Sequence, residues 1–127
     1  MGSQQEYVEA GKQIGESLKI LYSQQAVIND HFSGSPEPGF LEFIRRMQSS
    51  LDDVAVNAHT FSNILAAGNG EAHEQLGIFY QVVNTYFRTL DGMAHATSMK
   101  HHIPLIDQED NVNVLRRKLQ GLREKLK

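Results

Sequence analysis

The sequence predicts an all-α protein, an antiparallel bundle of four helices in which three helices of about 30 residues are followed by a shorter, basic C-terminal helix. Apolar residues recur at alternating steps of four and three along most of the 127-residue chain. Short stretches rich in glycine, proline and small polar residues separate these repeats. No stretch shows the competing period of two that strands require. We therefore expect residues 1–127 to form a single helical-bundle domain.

The first repeat predicts a helix with an inward-facing seam and a second apolar stripe. Ile20 and Val27 lie seven residues apart, outside the seam, and a second stripe of this kind predicts contacts with two neighbouring helices or with another chain. We therefore take Ile20 and Val27 as candidate partner-binding residues. The seam itself consists of Tyr7, Gly11, Ile14, Leu18, Leu21, Gln25, Ile28 and Phe32.

The second and third repeats follow the same rhythm without an error. The second comes after the break SGSPEPG, whose prolines suit the first turn of a helix. Its seam is Phe40, Ile44, Met47, Leu51, Val54, Ala58, Phe61 and Leu65. The third seam is Ala72, Leu76, Phe79, Val83, Tyr86, Leu90, Met93 and Thr97. Helix three is also apolar beside its seam, at Ile78, Tyr80, Val82 and Phe87, so we expect it at the centre of the bundle.

The stretch AAGNGEAHEQL, residues 66–76, is either a small polar site or a corner between two helices. Gly68 and Gly70 tolerate the positive φ angle that commonly ends a helix. Glu71 and Glu74 then fall in the first turn of helix three, where the helix dipole favours negative charge. The corner explains every polar residue of the stretch except His73, so a corner is our prediction.

The fourth repeat predicts a helix that continues to the C-terminus. Pro104 is expected to end the third segment, and Asp107 with Asp110 resembles a capping arrangement at the start of helix four. The repeat is still in register at the last residues, which indicates either a longer helix that has been truncated or final turns that project toward a partner. The opening MGS resembles a cloning remnant. The apolar positions of the fourth repeat are Val112, Leu115, Leu119, Leu122 and Leu126.

Charge is distributed unevenly along the chain. Residues 116–127 hold six basic residues and one acidic residue, a net charge of +5, so the remaining residues contribute −8 to the total of −3. An acidic body with a basic terminal helix favours an anionic partner or docking of that helix on the body. We therefore add Arg116, Arg117, Arg123 and Lys125 to the candidate partner-binding residues. Aromatic residues do not interleave with these charges, so we expect no nucleic acid partner.

The composition limits the chemistry that the chain can perform. Cysteine is absent, which excludes disulfides and thiolate metal sites, and no signal peptide or long apolar run is present. These features favour a cytoplasmic location. Phosphate-binding loops, nucleophile elbows and zinc-protease motifs are also missing. We expect no enzymatic activity and no cofactor.

The six histidines were considered as metal ligands or phosphate acceptors. None occupies a seam, and no Glu-x-x-His pair occurs, whereas metal sites in helical bundles use inward-facing ligands. We therefore expect no metal site. His59 lies in mid-helix, as in histidine phosphotransfer domains, but Ser62 and Asn63 stand where that family has lysine and glycine. A solvated histidine is the preferred interpretation.

The corner offers one family resemblance. Residues 60–76, TFSNILAAGNGEAHEQL, resemble the junction between the first two helices of the BAR domains of sorting nexins. The matching positions are Phe61, Gly68, Asn69, Glu71, His73 and Leu76. The resemblance implies a dimer of long helices that binds and senses curved membranes. The chain departs from that family in its length, in helix one and in its acidic body.

These observations favour a noncatalytic helical bundle that serves as a protein interaction or scaffolding module, binding another protein or a second copy of itself. The alternative is a dimeric, BAR-like membrane-binding module in membrane trafficking, with the basic helix against an anionic membrane surface. A histidine phosphotransfer domain is the third hypothesis.

Overall fold

Four helices account for nearly all of the described chain. A computed structural model describes residues 3–34, 38–68, 70–97 and 102–126. The helices are α1 (Ser3–Ser33), α2 (Pro38–Ala66), α3 (Ala72–Ala96) and α4 (His102–Lys125). α1 and α3 each pack against both α2 and α4, so the helices form a closed ring with short connections. The prediction of an all-α, antiparallel four-helix bundle is confirmed.

The heptad seams form the core. In α3 every predicted seam residue from Ala72 to Met93 is buried. In α2 all predicted seam residues are buried except Ile44, which is half-buried. In α1 the seam shifts by one position, because Ser17 is buried and Leu18 is only half-buried. The shift turns Ser17 toward α4, where Lys118 Nζ donates a hydrogen bond to Ser17 Oγ at 2.7 Å.

The expected central position of helix three is wrong. α3 occupies one corner of the ring and packs against two neighbours, as the other helices do. Its extra apolar residues flank the seam: Tyr80, Val82 and Phe87 pack against the edge of the core. Ile78 is exposed. The wider apolar surface of α3 therefore serves its contacts with α2 and α4 rather than burial on all sides.

The corner between α2 and α3 is confirmed. α2 ends at Ala66, and Gly68 adopts a φ angle of +68°. The Ala67 N–H donates to the Asn63 carbonyl at 3.0 Å, and the Gly68 N–H donates to the Leu65 carbonyl at 3.1 Å. These bonds satisfy carbonyls that the helix end would otherwise leave open. Asn69 lies outside the described residues.

The predicted start of helix four is wrong. α4 begins at His102, so Pro104 lies in its first turn, and Asp107 and Asp110 are helical residues rather than caps. A proline is favoured in the first turn because its missing N–H has no helical partner there. The earlier start adds Leu105 and Gln108 to the buried core.

A candidate interaction face on helices one and four

Three hydrogen bonds fix α4 against α1 and set their antiparallel register. Besides the bond from Lys118 to Ser17, Gln24 Nε2 donates to the Pro104 carbonyl at 2.9 Å. Gln108 Nε2 donates to the Leu21 carbonyl at 2.7 Å. The N-terminal half of α1 therefore lies beside the C-terminal half of α4. Val27 and Ile103 lie at about the same level near the other end.

Six large apolar side chains are exposed on these two helices: Val8, Ile20 and Val27 on α1 and Ile103, Ile106 and Val114 on α4. On α1, Ile20 is 54% exposed and Val27 is 53% exposed. On α4, Ile103 is 69% exposed and Val114 is 40% exposed. Each pair is separated by seven or eleven residues, spacings that return to the same side of a helix. The earlier start of α4 brought Ile103 into a helix, and sequence reasoning missed it for that reason.

The opposite half of the same surface is a charged groove. It has a volume of about 520 Å³ and runs between Glu6 and Glu9 on α1 and Lys118 and Lys125 on α4. Gly121 lies between the two basic residues and leaves the α4 side open. Within the described part of the chain, the side chains of Glu6, Glu9 and Lys125 form no ion pair. The groove thus has one acidic wall and one basic wall, with charges available to a partner.

We call this whole surface the α1/α4 face. It is defined by Glu6, Glu9, Ile20 and Val27 on α1 and by Ile103, Val114, Arg117, Gly121 and Lys125 on α4. Arg117 belongs to it because it is exposed and lies three residues after Val114 and four before Gly121.

The predicted basic residues separate into two groups. Arg117 and Lys125 share the α1/α4 face with Ile20 and Val27. Arg116 turns toward α3, where its guanidinium lies 4.8 Å from the centre of the Phe87 ring and NH1 donates to Asn113. Arg123 lines a different groove, of about 310 Å³, between α3 and α4. The basic side chains therefore point to several sides of α4 rather than forming one basic surface.

A chain of polar side chains crosses the core next to the apolar half of this face. Tyr86 OH donates to Gln25 Oε1 at 2.5 Å and accepts from Gln108 Nε2 at 2.7 Å. Gln25 Nε2 donates to Asn29, which continues the chain toward α2. The chain ends on α2 after two further steps: Asn29 Nδ2 donates to Gln48 Oε1, and Gln48 Nε2 donates to Asp52 Oδ1. Hydrogen bonds between side chains thus connect all four helices. These bonds fix the position of each helix along its axis relative to the other helices.

Two tyrosines in or near this chain have perturbed pKa values. Burial raises the pKa of Tyr86 far above its usual value. Burial also raises the pKa of Tyr22 to about 12, and its hydrogen bond to Asp52 Oδ1 at 2.7 Å and the charge of that carboxylate add to the effect. Burial is the main cause of both shifts, and at Tyr86 it outweighs the hydrogen bond from Gln108, which lowers the pKa.

The histidine side chains that the structure describes lie at the surface. His31, His59, His73 and His95 are exposed, while His101 and the side chain of His102 lie outside the described residues. Among described residues, no group of three or more histidines and carboxylates is arranged to hold a metal ion. His59 Nε2 lies 3.3 Å from Asn63 Nδ2, in the middle of α2.

Comparisons with protein-family models, curated proteins and solved structures returned no match. Of the four helices as described, none has both the length and the apolar composition needed to cross a membrane.

Proposed function

We propose that this protein is a noncatalytic interaction module that binds another protein chain through its α1/α4 face. The observation that carries the proposal is the exposure of Ile20, Val27, Ile103 and Val114 on one side of a bundle whose core is already closed. Because these side chains are not needed to close the bundle, their clustering favours a surface that a partner covers.

A partner that covers these apolar side chains gains free energy by removing them from water. Fully burying a valine or isoleucine side chain contributes roughly 1.5–3 kcal/mol relative to leaving it in water. Each of the four apolar residues still has about half of that gain available, because they are between 40% and 69% exposed. A partner helix with its own apolar stripe would bury these side chains when it packs along α1 and α4, as in helix-in-groove recognition.

The noncatalytic part of the proposal rests on the polar groups. The strongly perturbed groups, Tyr22 and Tyr86, are engaged in hydrogen bonds that connect the helices. The charged groove has carboxylates on its α1 wall and ammonium groups on its α4 wall. Convergent groups around a reacting position, which an active site requires, are not among the features that the described residues provide.

A photo-cross-linking experiment tests this proposal. A photoreactive amino acid is placed at position 27 in one variant and at position 56 in another, and both are irradiated in cells that express the protein. Val56 is the matched control, because it is 64% exposed but lies on the outer side of α2. We expect one defined protein adduct at position 27 and none at position 56. The same adducts at both positions, or none at either, would contradict the proposal.

A further inference from the structure

We propose that the partner of the α1/α4 face is a second copy of this chain, related to the first by a two-fold axis parallel to the helices. This inference rests on the proposed function, since it names the occupant of the same face. The pattern of charge on the face, the position of its apolar residues and its size all favour a second copy.

The symmetry determines which helices meet. A two-fold axis that lies between two copies and runs along the helices exchanges left and right but preserves height. α1 of one copy therefore lies opposite α4 of the other copy. Each residue of α1 then faces, in the other copy, the same turn of α4 that lies beside it in its own chain. A two-fold axis perpendicular to the helices would instead place α1 opposite α1.

The charges of the groove match under this symmetry. Glu6 and Glu9 of one copy lie opposite the basic end of α4 in the second copy, which carries Arg117 and Lys125. Glu9 comes level with Gly121 of that copy, between the two basic side chains, and the open space at Gly121 leaves room for its carboxylate. Because the axis repeats every contact, the acidic wall and the basic wall of each copy are both paired.

The apolar residues match in the same arrangement. Val27 of one copy faces the level of Ile103 of the other, as the bond between Gln24 and Pro104 sets the register within each chain. Ile20 faces residues 110–114, a turn that carries the exposed Asp110 as well as Val114. The arrangement thus places Val27 on Ile103 at one end and opposite charges on each other at the other end.

The face is large enough for a stable dimer. α4 has 24 residues, which corresponds to about 36 Å at 1.5 Å per residue. Two neighbouring helices present a width of about 20 Å. The footprint is therefore roughly 700 Å² per copy, close to the ~800 Å² that each partner contributes to a standard interface.

A charge-exchange experiment tests the arrangement. Variant A carries Glu6→Lys and Glu9→Lys, and variant B carries Arg117→Glu and Lys125→Glu. Lys118 is left unchanged because it holds Ser17. Sedimentation equilibrium at low salt measures the dimer dissociation constant of the wild type, of each variant alone and of an equal mixture of A and B. Circular dichroism checks that each variant is folded.

We expect the wild type to dimerise, and we expect each variant alone to dimerise about tenfold more weakly or worse, because like charges then face each other at two symmetric places. The mixture of A and B restores opposite charges at both places, so a heterodimer of near wild-type affinity is expected. A control variant with Lys12→Glu and Lys19→Glu has the charge change of variant B at exposed positions of α1 outside the face, and we expect it to dimerise normally.

The contrary outcomes are distinct. A wild-type chain that stays monomeric up to about 1 mM, a concentration at which contacts with a Kd in the millimolar range would be detected, overturns the second-copy proposal. A dimer that the mixture does not restore overturns the parallel two-fold arrangement. In either case the proposed function still stands if the cross-linker at position 27 captures a different, defined protein, and it fails with the inference if position 27 gives no adduct.

Discussion

Tyr86 lies where the polar chain of the core joins three helices. Its hydroxyl is fully buried, donates to Gln25 on α1 and accepts from Gln108 on α4. Gln108 uses its second amide proton for the Leu21 carbonyl, so its amino group is fully occupied. A polar group in a bundle core that has all its partners fixes one register of the helices, since any sliding would leave buried groups unpaired.

Tyr86→Phe tests this role. The substitution keeps the ring and removes the hydroxyl, which leaves Gln25 Oε1 and one Gln108 N–H buried without their partner. We expect the free energy of unfolding to fall by about 1–3 kcal/mol, measured by urea denaturation. Tyr80→Phe is the control, because Tyr80 OH accepts a single bond from Gln120 at an exposed site. We expect that variant to lie within about 0.5 kcal/mol of the wild type. Equal losses in both variants would contradict the role assigned to Tyr86.

Tyr22 gives a pH-dependent prediction. Its pKa in the folded protein is raised from 10.0 to about 12, first by burial and then by the hydrogen bond to Asp52 and by the Asp52 charge. The fold favours the neutral phenol, so this contribution to stability is complete below pH 10 and is lost as the pH rises toward 12.

In Asp52→Asn we expect the pKa of Tyr22 to fall, because the carboxylate no longer disfavours the phenolate. Titration of tyrosinate absorbance in both proteins provides the measurement, and an unchanged titration curve would assign the whole shift to burial.

At the scale of helices, the sequence predicted the buried seams of α2 and α3 almost residue by residue, although α3 ends at Ala96, before the expected end at Pro104. Their apolar positions keep one spacing, and a helix with one continuous apolar stripe has one way to face a core. The start of α4 was misplaced because a proline ends one helix as readily as it opens the next. Pro104 opens α4, and only packing of Leu105 and Gln108 against the core distinguishes the two cases.

The candidate face was predicted in part. Ile20 and Val27 were found from spacing alone, because both lie outside the seam of α1. Spacing could not assign the basic residues of α4 to the α1 side or to the α3 side of that helix, because spacing does not show which neighbouring helix each side contacts. That information depends on contacts between distant residues, such as the bond from Lys118 to Ser17, 101 positions away. Spacing also does not show that the guanidinium of Arg116 packs on Phe87 of α3, outside the α1/α4 face.

At the scale of the whole molecule, the uneven charge of the chain takes a spatial form. The basic end of α4 lies beside the acidic N-terminal half of α1, because the two helices are antiparallel. The opposite charges therefore lie on one surface, separated by a groove, rather than at opposite ends of the protein. A surface with both signs in separate rows is complementary to a copy of itself, and it gives a membrane surface attraction along one row and repulsion along the other.

Val27→Glu distinguishes a surface role from a structural one for the whole bundle. Val27 is 53% exposed, so a glutamate there can stay in water, and we expect helicity and thermal stability close to those of the wild type. Association should be lost, because the new carboxylate would be buried opposite Ile103 of the other copy without a partner. Val56→Glu introduces the same charge at a more exposed valine on α2 and is expected to leave association unchanged. Circular dichroism measures the fold, and light scattering across protein concentration measures the mass. If Val27→Glu unfolded the protein while Val56→Glu did not, Val27 would belong to the core, and the α1/α4 face would lose the residue on which its apolar half depends.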